Sequence, residues 1–345
     1  MNVNIREYSK EELIQQFESR KIPGFRAKQV YQWLWSHRVL DFSKMSNLPN
    51  ALQAQLSEQF SIEETTVDVI QRSQDGTIKV GFRTFDQEAI EGVIIPKDDR
   101  YTACISSQIG CSLACTFCAT GFLARKRNLF AWEIYDQVFL LDELSKLDFE
   151  QSLTNIVYMG MGEPLLNYDE VVKSLRILND EKEGLGIGAK RITVSTSGVA
   201  RNIIRLADEG LKINLALSLH ASNNDKRLEI MDINKSNPIE MVIPALKHFY
   251  DVTKNKISYE YILLSGINDS EEDARELATL CQDFPVYVNI IEYNPVEDVP
   301  YHKSKKEHRD KFLEVLRSLK VQAKVRRSRG KDIDAGCGQL ANKVK

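Results

Sequence analysis

Nowhere in this 345-residue chain does an apolar run approach the roughly 18 residues a membrane-spanning helix needs; the longest patches resemble Val138-Phe-Leu-Leu141. The first residues, MNVNIREYSKEE, are polar and of mixed charge, so neither a signal peptide nor membrane contact is expected, and the expected location is cytoplasmic. Low-complexity tracts and short repeats are missing. Histidine is scarce, with five in all. Cysteine is also sparse: six thiols in a chain of this kind point to metal or redox chemistry, not to a structural disulfide frame. What remains is ordinary, with 43% hydrophobic and 28% charged residues, and is enough to bury a large core in one to three domains.

Against this background one run stands out, Cys111-Ser-Leu-Ala-Cys115-Thr-Phe-Cys118, spaced C-x3-C-x2-C. Three thiolates from one short loop can hold three irons of a cubane cluster and leave the fourth iron open for a substrate. A structural zinc module would need a fourth ligand from a second Cys or His pair. The nearest other cysteine is Cys104, and the first histidine after the loop is His220. Ferredoxin spacing, with its fourth Cys followed by Pro, is absent.

Along the chain, Ser9 and Glu12 form a capping box ahead of Leu13, Ile14 and Phe17. Further helices are expected over 27–37 and 50–60, giving a helical unit over residues 1–62. Arg20, Lys21, Arg26 and Lys28 lend it a basic edge that fits either RNA contact or a plain solvated surface. Residues 63–96 change period: strands over 65–72 and 77–84 flank Gln74-Asp75-Gly76, a hairpin signal, and a third strand runs over 89–95 to Pro96. This reads as a small antiparallel connector. From about residue 97 to the end, strands near 101–106, 155–159, 191–196, 213–218, 257–264 and 286–292 alternate with helices. Repeated β–α units in one direction predict an α/β fold, a partial (β/α)6 TIM-like barrel.

Chemistry in such a fold gathers at the carboxyl ends of the strands. The cysteine loop, Gly160-Met-Gly162-Glu163-Pro164, Ser195-Thr-Ser-Gly198, Ser218-Leu219-His220 and Asn294-Pro295 all fall there. Gly162 would let backbone approach a ligand ammonium, Glu163 could accept its hydrogen bonds, and Ser195, Ser218 and Asn294 could bind hydroxyls or a carboxylate. His220 fits a satisfied structural histidine as well as a ligand. Each motif alone also fits a turn or a cap.

Net charge is only −3, but residues 303–331 hold twelve Lys and Arg against three acids. The helical part of that window fits a solvated face, whereas Lys324-Val-Arg-Arg-Ser-Arg-Gly-Lys331 is dense enough to neutralise phosphates. Beyond it, Cys337 lies between glycines in Asp332-Ile-Asp-Ala-Gly-Cys-Gly-Gln-Leu340 and is expected to be exposed and mobile, a candidate nucleophile. Cys281, inside a predicted helix, reads as a buried small hydrophobe. Glu91 reads as an ordinary exposed strand carboxylate.

Together, C-x3-C-x-aromatic-C, Gly160-Met-Gly-Glu-Pro-Leu-Leu-Asn167, Ser195-Thr-Ser-Gly-Val199, Ser218-Leu-His220 and Asp332-Ile-Asp-Ala-Gly-Cys-Gly-Gln-Leu-Ala341 resemble the RlmN/Cfr family of radical S-adenosylmethionine (SAM) RNA methyltransferases over most of the chain, on its RlmN side. The resemblance implies a fold of radical SAM type, one [4Fe–4S] cluster on Cys111, Cys115 and Cys118, and SAM contacts at Gly162, Glu163, Ser195, Ser218, Leu219, His220 and Asn294. It implies that Cys337 takes a methyl from one SAM and that a second SAM yields the radical that abstracts hydrogen from it. The carbon then adds to C2 of an adenine in 23S rRNA or at adenosine 37 of tRNA. Glu91 would accept the C2 proton, and Cys104 would release the product through a transient disulfide with Cys337. A low-potential donor such as flavodoxin and a monomeric state are implied too. Family chains commonly read Ala-Ala-Cys-Gly where this one has Gly336 before the thiol, which should loosen the loop. The alternatives are a Cfr-like adenine C8 methyltransferase, whose chains tend to read Gly-Glu-Ala-Leu-Ala-Asn at the second motif, and a non-enzymatic iron–sulfur RNA-binding protein.

Overall fold

The computed structural model describes residues 2–297 and 299–341. A helical unit opens the chain: α1 (Lys10–Ser19), α2 (Gly24–Trp35) and α3 (Asn50–Gln59). Ser9 Oγ accepts the Glu12 N–H at 3.2 Å and Glu12 Oε2 accepts the Ser9 N–H at 2.7 Å, so two donors at the start of α1 are satisfied. Leu13, Phe17, Val30, Leu34, Trp35 and Leu56 are buried inside the unit. Its two ends meet where Val3–Asn4 pairs parallel with Phe60–Ser61.

A buried ionic knot fastens this unit to α4 (Ala131–Phe149). Arg6 donates to both carboxylate oxygens of Asp136, at 2.9 and 2.7 Å, and its guanidinium lies 4.9 and 5.4 Å from the Trp35 and Trp132 rings. Asp136 also accepts the Thr65 N–H at 3.0 Å and Arg38 Nε at 3.2 Å. One carboxylate thereby joins residues far apart in sequence, and a buried ion pair is tolerated only when so fully bonded.

Ten strands form one sheet in strict chain order: β1 (Thr66–Arg72), β2 (Ile78–Arg83), β3 (Ala89–Lys97), β4 (Arg100–Cys104), β5 (Asn155–Tyr158), β6 (Ile192–Thr196), β7 (Asn214–Ser218), β8 (Ile257–Leu263), β9 (Val286–Glu292) and β10 (Ala323–Arg326). Strands β1 to β4 pair antiparallel and β4 to β10 parallel. Helices α5 (Tyr168–Asn179), α6 (Ala200–Asp208), α7 (Asn224–Ile230), α8 (Ile239–Thr253), α9 (Glu271–Leu280) and α10 (Lys306–Ser318) lie between successive parallel strands. All seven residues of β8 are buried, as a central parallel strand requires. The sheet stays open among the described residues, as expected of a partial barrel. No described helix is long and apolar enough to cross a membrane.

Three features depart from expectation. The hairpin is not a detached connector: β3 pairs with β4 from Val93↔Cys104 to Lys97↔Arg100, so the antiparallel strands extend the main sheet. A seventh parallel strand, β10, lies within the basic run and pairs with β9 from Val288↔Ala323 to Ile291↔Arg326. Helix α7, capped by Asn223 Oδ1 on the Lys226 N–H at 3.0 Å, also went unread because it is barely two turns long.

Candidate active site

At the carboxyl ends of the parallel strands lies a cavity of about 170 Å³. Every parallel strand reaches it: Cys104 from β4, Met159 and Gly160 just beyond β5, Ser195 and Thr196 from β6, Ser218 from β7, Glu260 and Ile262 from β8, Ile291 from β9 and Arg326 from β10. Val93 and Ile95 of β3 complete one side.

The cysteine loop forms one wall. Gln108–Ile109 pairs antiparallel with Arg127–Asn128 and pinches off the segment between them. Ala114 adopts φ +47°, the Cys118 N–H donates to Cys115 O at 3.1 Å, and the Gly121 N–H donates to Cys118 O at 2.9 Å. A Cβ on Gly121 would meet Cys115 O at 2.7 Å, so glycine is what allows this tight fold. Cys111, Cys115 and Cys118 are half-buried and all line the cavity. Burial pushes Cys111 up to about 11 and holds Cys115 and Cys118 above the usual thiol range. Bound iron would reverse this by favouring thiolates. Among the described residues no group of three His, Cys, Asp or Glu side chains gathers tightly enough to hold a single metal ion. Three thiols spread around a cavity, with no fourth cysteine from the loop, fit a cluster of several irons with one corner open.

The lining also includes Gly162, Glu163, Ser195, Ser218 and His220, whose ring lies 4.9 Å from that of Phe117 in the cysteine loop. Gly162 has φ +94°, and a Cβ there would meet Gln108 Cβ at 2.5 Å. Glu163 is 2% exposed; its carboxylate accepts the Ser197 N–H at 2.7 Å and the Leu165 N–H at 3.0 Å, yet burial still raises its pKa. Ser195 Oγ and Ser218 Oγ stand 3.4 Å apart. Leu219 and Asn294 are placed differently from the others. Leu219 is buried in the core and its N–H donates to Glu260 O at 3.1 Å. Asn294 Nδ2 donates to Cys337 O at 3.2 Å, so it holds the carboxyl-terminal segment.

His220 sits in the left-handed region at φ +59°, kept there by its N–H on Glu260 O at 3.3 Å and by Asn268 Nδ2 on its carbonyl at 2.7 Å. Its Nδ1 accepts the Ile262 N–H at 3.2 Å. Burial, and then Arg227, push its pKa down to about 3. The folded chain therefore holds a neutral imidazole. The stability this contributes is whole above about pH 6.5, the unfolded value, and is lost as pH falls towards 3. Between about pH 6 and 4 this one group should impose a slope of about 1.4 kcal/mol per pH unit. Urea unfolding of His220→Asn across that range should show the slope removed; a slope equal to that of the native chain would contradict the assignment.

The carboxyl-terminal segment is docked, not free. Gly330 N–H donates to Asp75 Oδ2 at 3.0 Å, and Asp332 accepts Ser73 Oγ at 2.5 Å and the Gln74 N–H at 3.2 Å. Gly338 O accepts the Ala119 N–H at 2.7 Å and Leu340 O accepts Thr120 Oγ1 at 2.6 Å, which ties the segment to the cysteine loop. The antiparallel hairpin is thus the bed on which residues 330–341 lie. Cys337 lines the same cavity as Cys104 and the three loop cysteines, and all of these thiols are free. Gly336 lies close under Asn294 and Gln339: a Cβ would meet Asn294 Nδ2 and Gln339 Oε1 at 2.6 Å each. Here glycine serves close packing where a looser loop was expected. Cys281, just past α9, is half-buried and far from this cavity's lining.

Two cationic residues beside the carboxyl-terminal segment, Arg326 and Lys79, stand outside the expected site. Arg326 Nη1 lies 3.8 Å from Glu260 Oε2, and the charges of Cys337 and then Glu260 keep its pKa above the usual value. Lys79 is buried beside Glu91, which is itself 1% exposed and lies outside the cavity lining. The exposed carboxylate expected at Glu91 is absent because Lys79 Nζ, 3.1 Å from Oε1, and the Ala341 N–H, 3.0 Å from Oε2, enclose it. Arg326 and Lys79 sit on strands that pattern as alternating apolar and cationic residues. That alternation was the available signal.

Comparison with known proteins agrees with this geometry. Residues 105–278 match the radical SAM superfamily, and residues 3–62 match the ribosomal RNA large subunit methyltransferase N-terminal domain. The chain is 48% identical over 339 residues to a probable dual-specificity RNA methyltransferase RlmN of Cytophaga hutchinsonii, covering 98% of this chain and 93% of that one. It is 47% identical over 340 residues to the protein of the same description from Flavobacterium psychrophilum, covering 99% and 98%. The crystal structure of a radical SAM methyltransferase from Sphaerobacter thermophilus matches with a TM-score of 0.90 at 39% identity, covering 98% and 99%. Near-full-length identity of this order, together with a three-thiol loop and a tail cysteine that line one cavity, means that the chain belongs to the RlmN family of radical SAM RNA methyltransferases, whose chemistry uses a [4Fe–4S] cluster and SAM.

Proposed function

We propose that this chain methylates C2 of an adenosine in 23S rRNA, at the peptidyl transferase centre, and C2 of adenosine 37 in tRNAs, using two SAM molecules per turnover. The observation that carries the reading is that Cys337, Cys104 and the three loop cysteines line one cavity. Adenine C2 is an electron-poor aromatic carbon that polar displacement at a sulfonium methyl does not reach. The cluster on Cys111, Cys115 and Cys118 and SAM supply, when bound, a radical able to take hydrogen from a methyl group.

The protein's own residues do the rest. Gly162 leaves room for a ligand ammonium, and that cation would return the burial-raised Glu163 to its carboxylate form. Ser195 and Ser218 offer hydroxyls to the same ligand. Cys337 accepts the methyl on its sulfur and carries it, with Arg326 lining the same cavity. Once the adduct has returned one electron to the redox chain that supplied the radical's, Cys104 attacks the Cys337 sulfur: the S–C bond breaks, the carbon keeps the electron pair and takes a proton to become the RNA methyl, and the disulfide left between the two cysteines is reopened by a thiol reductant. In the docked arrangement burial, and then Cys337, push Cys104 up to about 12, so it rests there as a thiol. Glu91 accepts the C2 proton. Arg327 and Arg329, which line a small recess beside Cys337, are placed to meet RNA phosphates, as is the basic edge at Arg20, Lys21, Arg26 and Lys28. The chain acts as a monomer in the cytoplasm, with a low-potential donor such as flavodoxin.

The test is anaerobic reconstitution of the cluster, followed by reaction with SAM, a reductant and a 23S rRNA fragment or tRNA. Digested RNA should contain 2-methyladenosine. 8-Methyladenosine in its place would move the site to C8, and no methylated adenosine on either RNA would remove the reading.

A further inference from the structure

We propose that Lys79 is a positioning residue for this reaction: it holds Glu91 and the Cys337 segment in one register, so that Glu91 is withheld while the segment is docked and uncovered when the segment moves. The proposal rests on Cys337 as carbon carrier and Glu91 as proton acceptor. The β2–β3 ladder sets Lys79 opposite Val93 and Glu91 opposite Gly81, so the two charged side chains are diagonal neighbours on one face. Gly81 has no side chain to come between them. Lys79 Nζ lies 3.1 Å from Glu91 Oε1, with the side chains 2% and 1% exposed. The same ammonium donates to Asp334 O at 3.3 Å. The other carboxylate oxygen, Oε2, accepts the Ala341 N–H at 3.0 Å.

The pair therefore grips the chain on both sides of Cys337, three residues before it and four after. Oε2 is taken by the Ala341 amide, whereas Oε1 lies within ion-pair distance of Lys79 and accepts no hydrogen bond, and the residue does not line the cavity. A carboxylate so enclosed has no path to a proton on RNA. Movement of Cys337 towards a substrate base withdraws the Ala341 amide and the Asp334 carbonyl together, and this exposes Oε2. Lys79 stays on the sheet and keeps the carboxylate aimed. Loss of the lysine would leave a buried carboxylate with one amide partner, which is costly and frees its orientation.

The experiment compares Lys79→Met and Lys79→Arg with the native chain, each reconstituted with its cluster. Amide hydrogen exchange over residues 330–341 should quicken about tenfold in Lys79→Met while the strands of the sheet keep their protection. Adenosine methylation should fall about 100-fold at unchanged iron content and unchanged SAM binding, as misplacement of a reacting group by about 1 Å does. Lys79→Arg should recover a substantial part of both. Ala341→Pro, which removes the donor to Oε2 and leaves the Lys79 ammonium in place, should quicken exchange in the same segment. Native-like exchange in the segment of either Lys79→Met or Ala341→Pro would overturn the proposal, as would methylation within about threefold of native. Loss of protection throughout the sheet in Lys79→Met, with native-like exchange in Ala341→Pro, would assign Lys79 to folding alone and overturn it too. A native chain that makes no methyladenosine but whose segment still loosens in Lys79→Met would fault the function, not the docking.

Discussion

Cys337→Ala should lose RNA methylation by at least about 10³-fold while iron content and SAM binding stay at native levels. The reason is where the bonds are. The segment is held through Cys337 O from Asn294, Gly338 O from Ala119, Leu340 O from Thr120 and the Ala341 N–H on Glu91. None of these uses the thiol, so alanine leaves the segment docked over the cavity and removes only the sulfur proposed to carry carbon. Cys104→Ala should differ in kind. The methylene still reaches the base, but nothing releases Cys337, so protein covalently joined to RNA should accumulate on a denaturing gel. Native-like methylation by Cys337→Ala would show that the sulfur is not on the path.

The second large effect is on stability. Asp136→Ala strips the partner from Arg6, two hydrogen bonds at 2.7 and 2.9 Å, and from Arg38 Nε and the Thr65 N–H. Arg6 is fully buried among Trp35, Trp132 and Tyr135 and would be left as an uncompensated charge. Removal of one partner of such a pair typically costs about 3–5 kcal/mol. Urea unfolding should show a loss of that order, with residues 2–62 cut first by limited proteolysis, because Asp136 and the Tyr135 hydroxyl on Trp35 O are their polar ties to α4. Asp136→Asn, which keeps one acceptor oxygen, should lose less. A change below about 1 kcal/mol for the alanine variant would contradict the picture of a bonded knot.

Much of the scaffold was readable from local pattern. The Ser9–Glu12 box, the 3.6-residue helices and the apolar strands at regular spacing are all short-range signals, and they placed the cysteine loop, Gly162-Glu163, Ser195 and Ser218 at one end of a parallel sheet. What escaped depends on partners that the local pattern does not name. Val325 and Arg326 read as part of a basic tail because nothing local says that β9 is beside them. Glu91 read as exposed because the amide that covers it belongs to Ala341, 250 positions on. The segment around Cys337 read as mobile from its glycines, whereas Asp75, Ser73 and Thr120 supply its anchors from distant loops. The hairpin likewise read as a connector, since its pairing to β4 is invisible until the sheet is assembled.

The central claim is that carbon reaches RNA on the sulfur of Cys337 after losing a hydrogen atom. The deuterium content of the product, made from SAM with a trideuterated methyl, tests it most directly. The RNA methyl group should hold two deuterium atoms, and the 5′-deoxyadenosine formed alongside should hold one. An RNA methyl that keeps all three, with none in the deoxyadenosine, would contradict it.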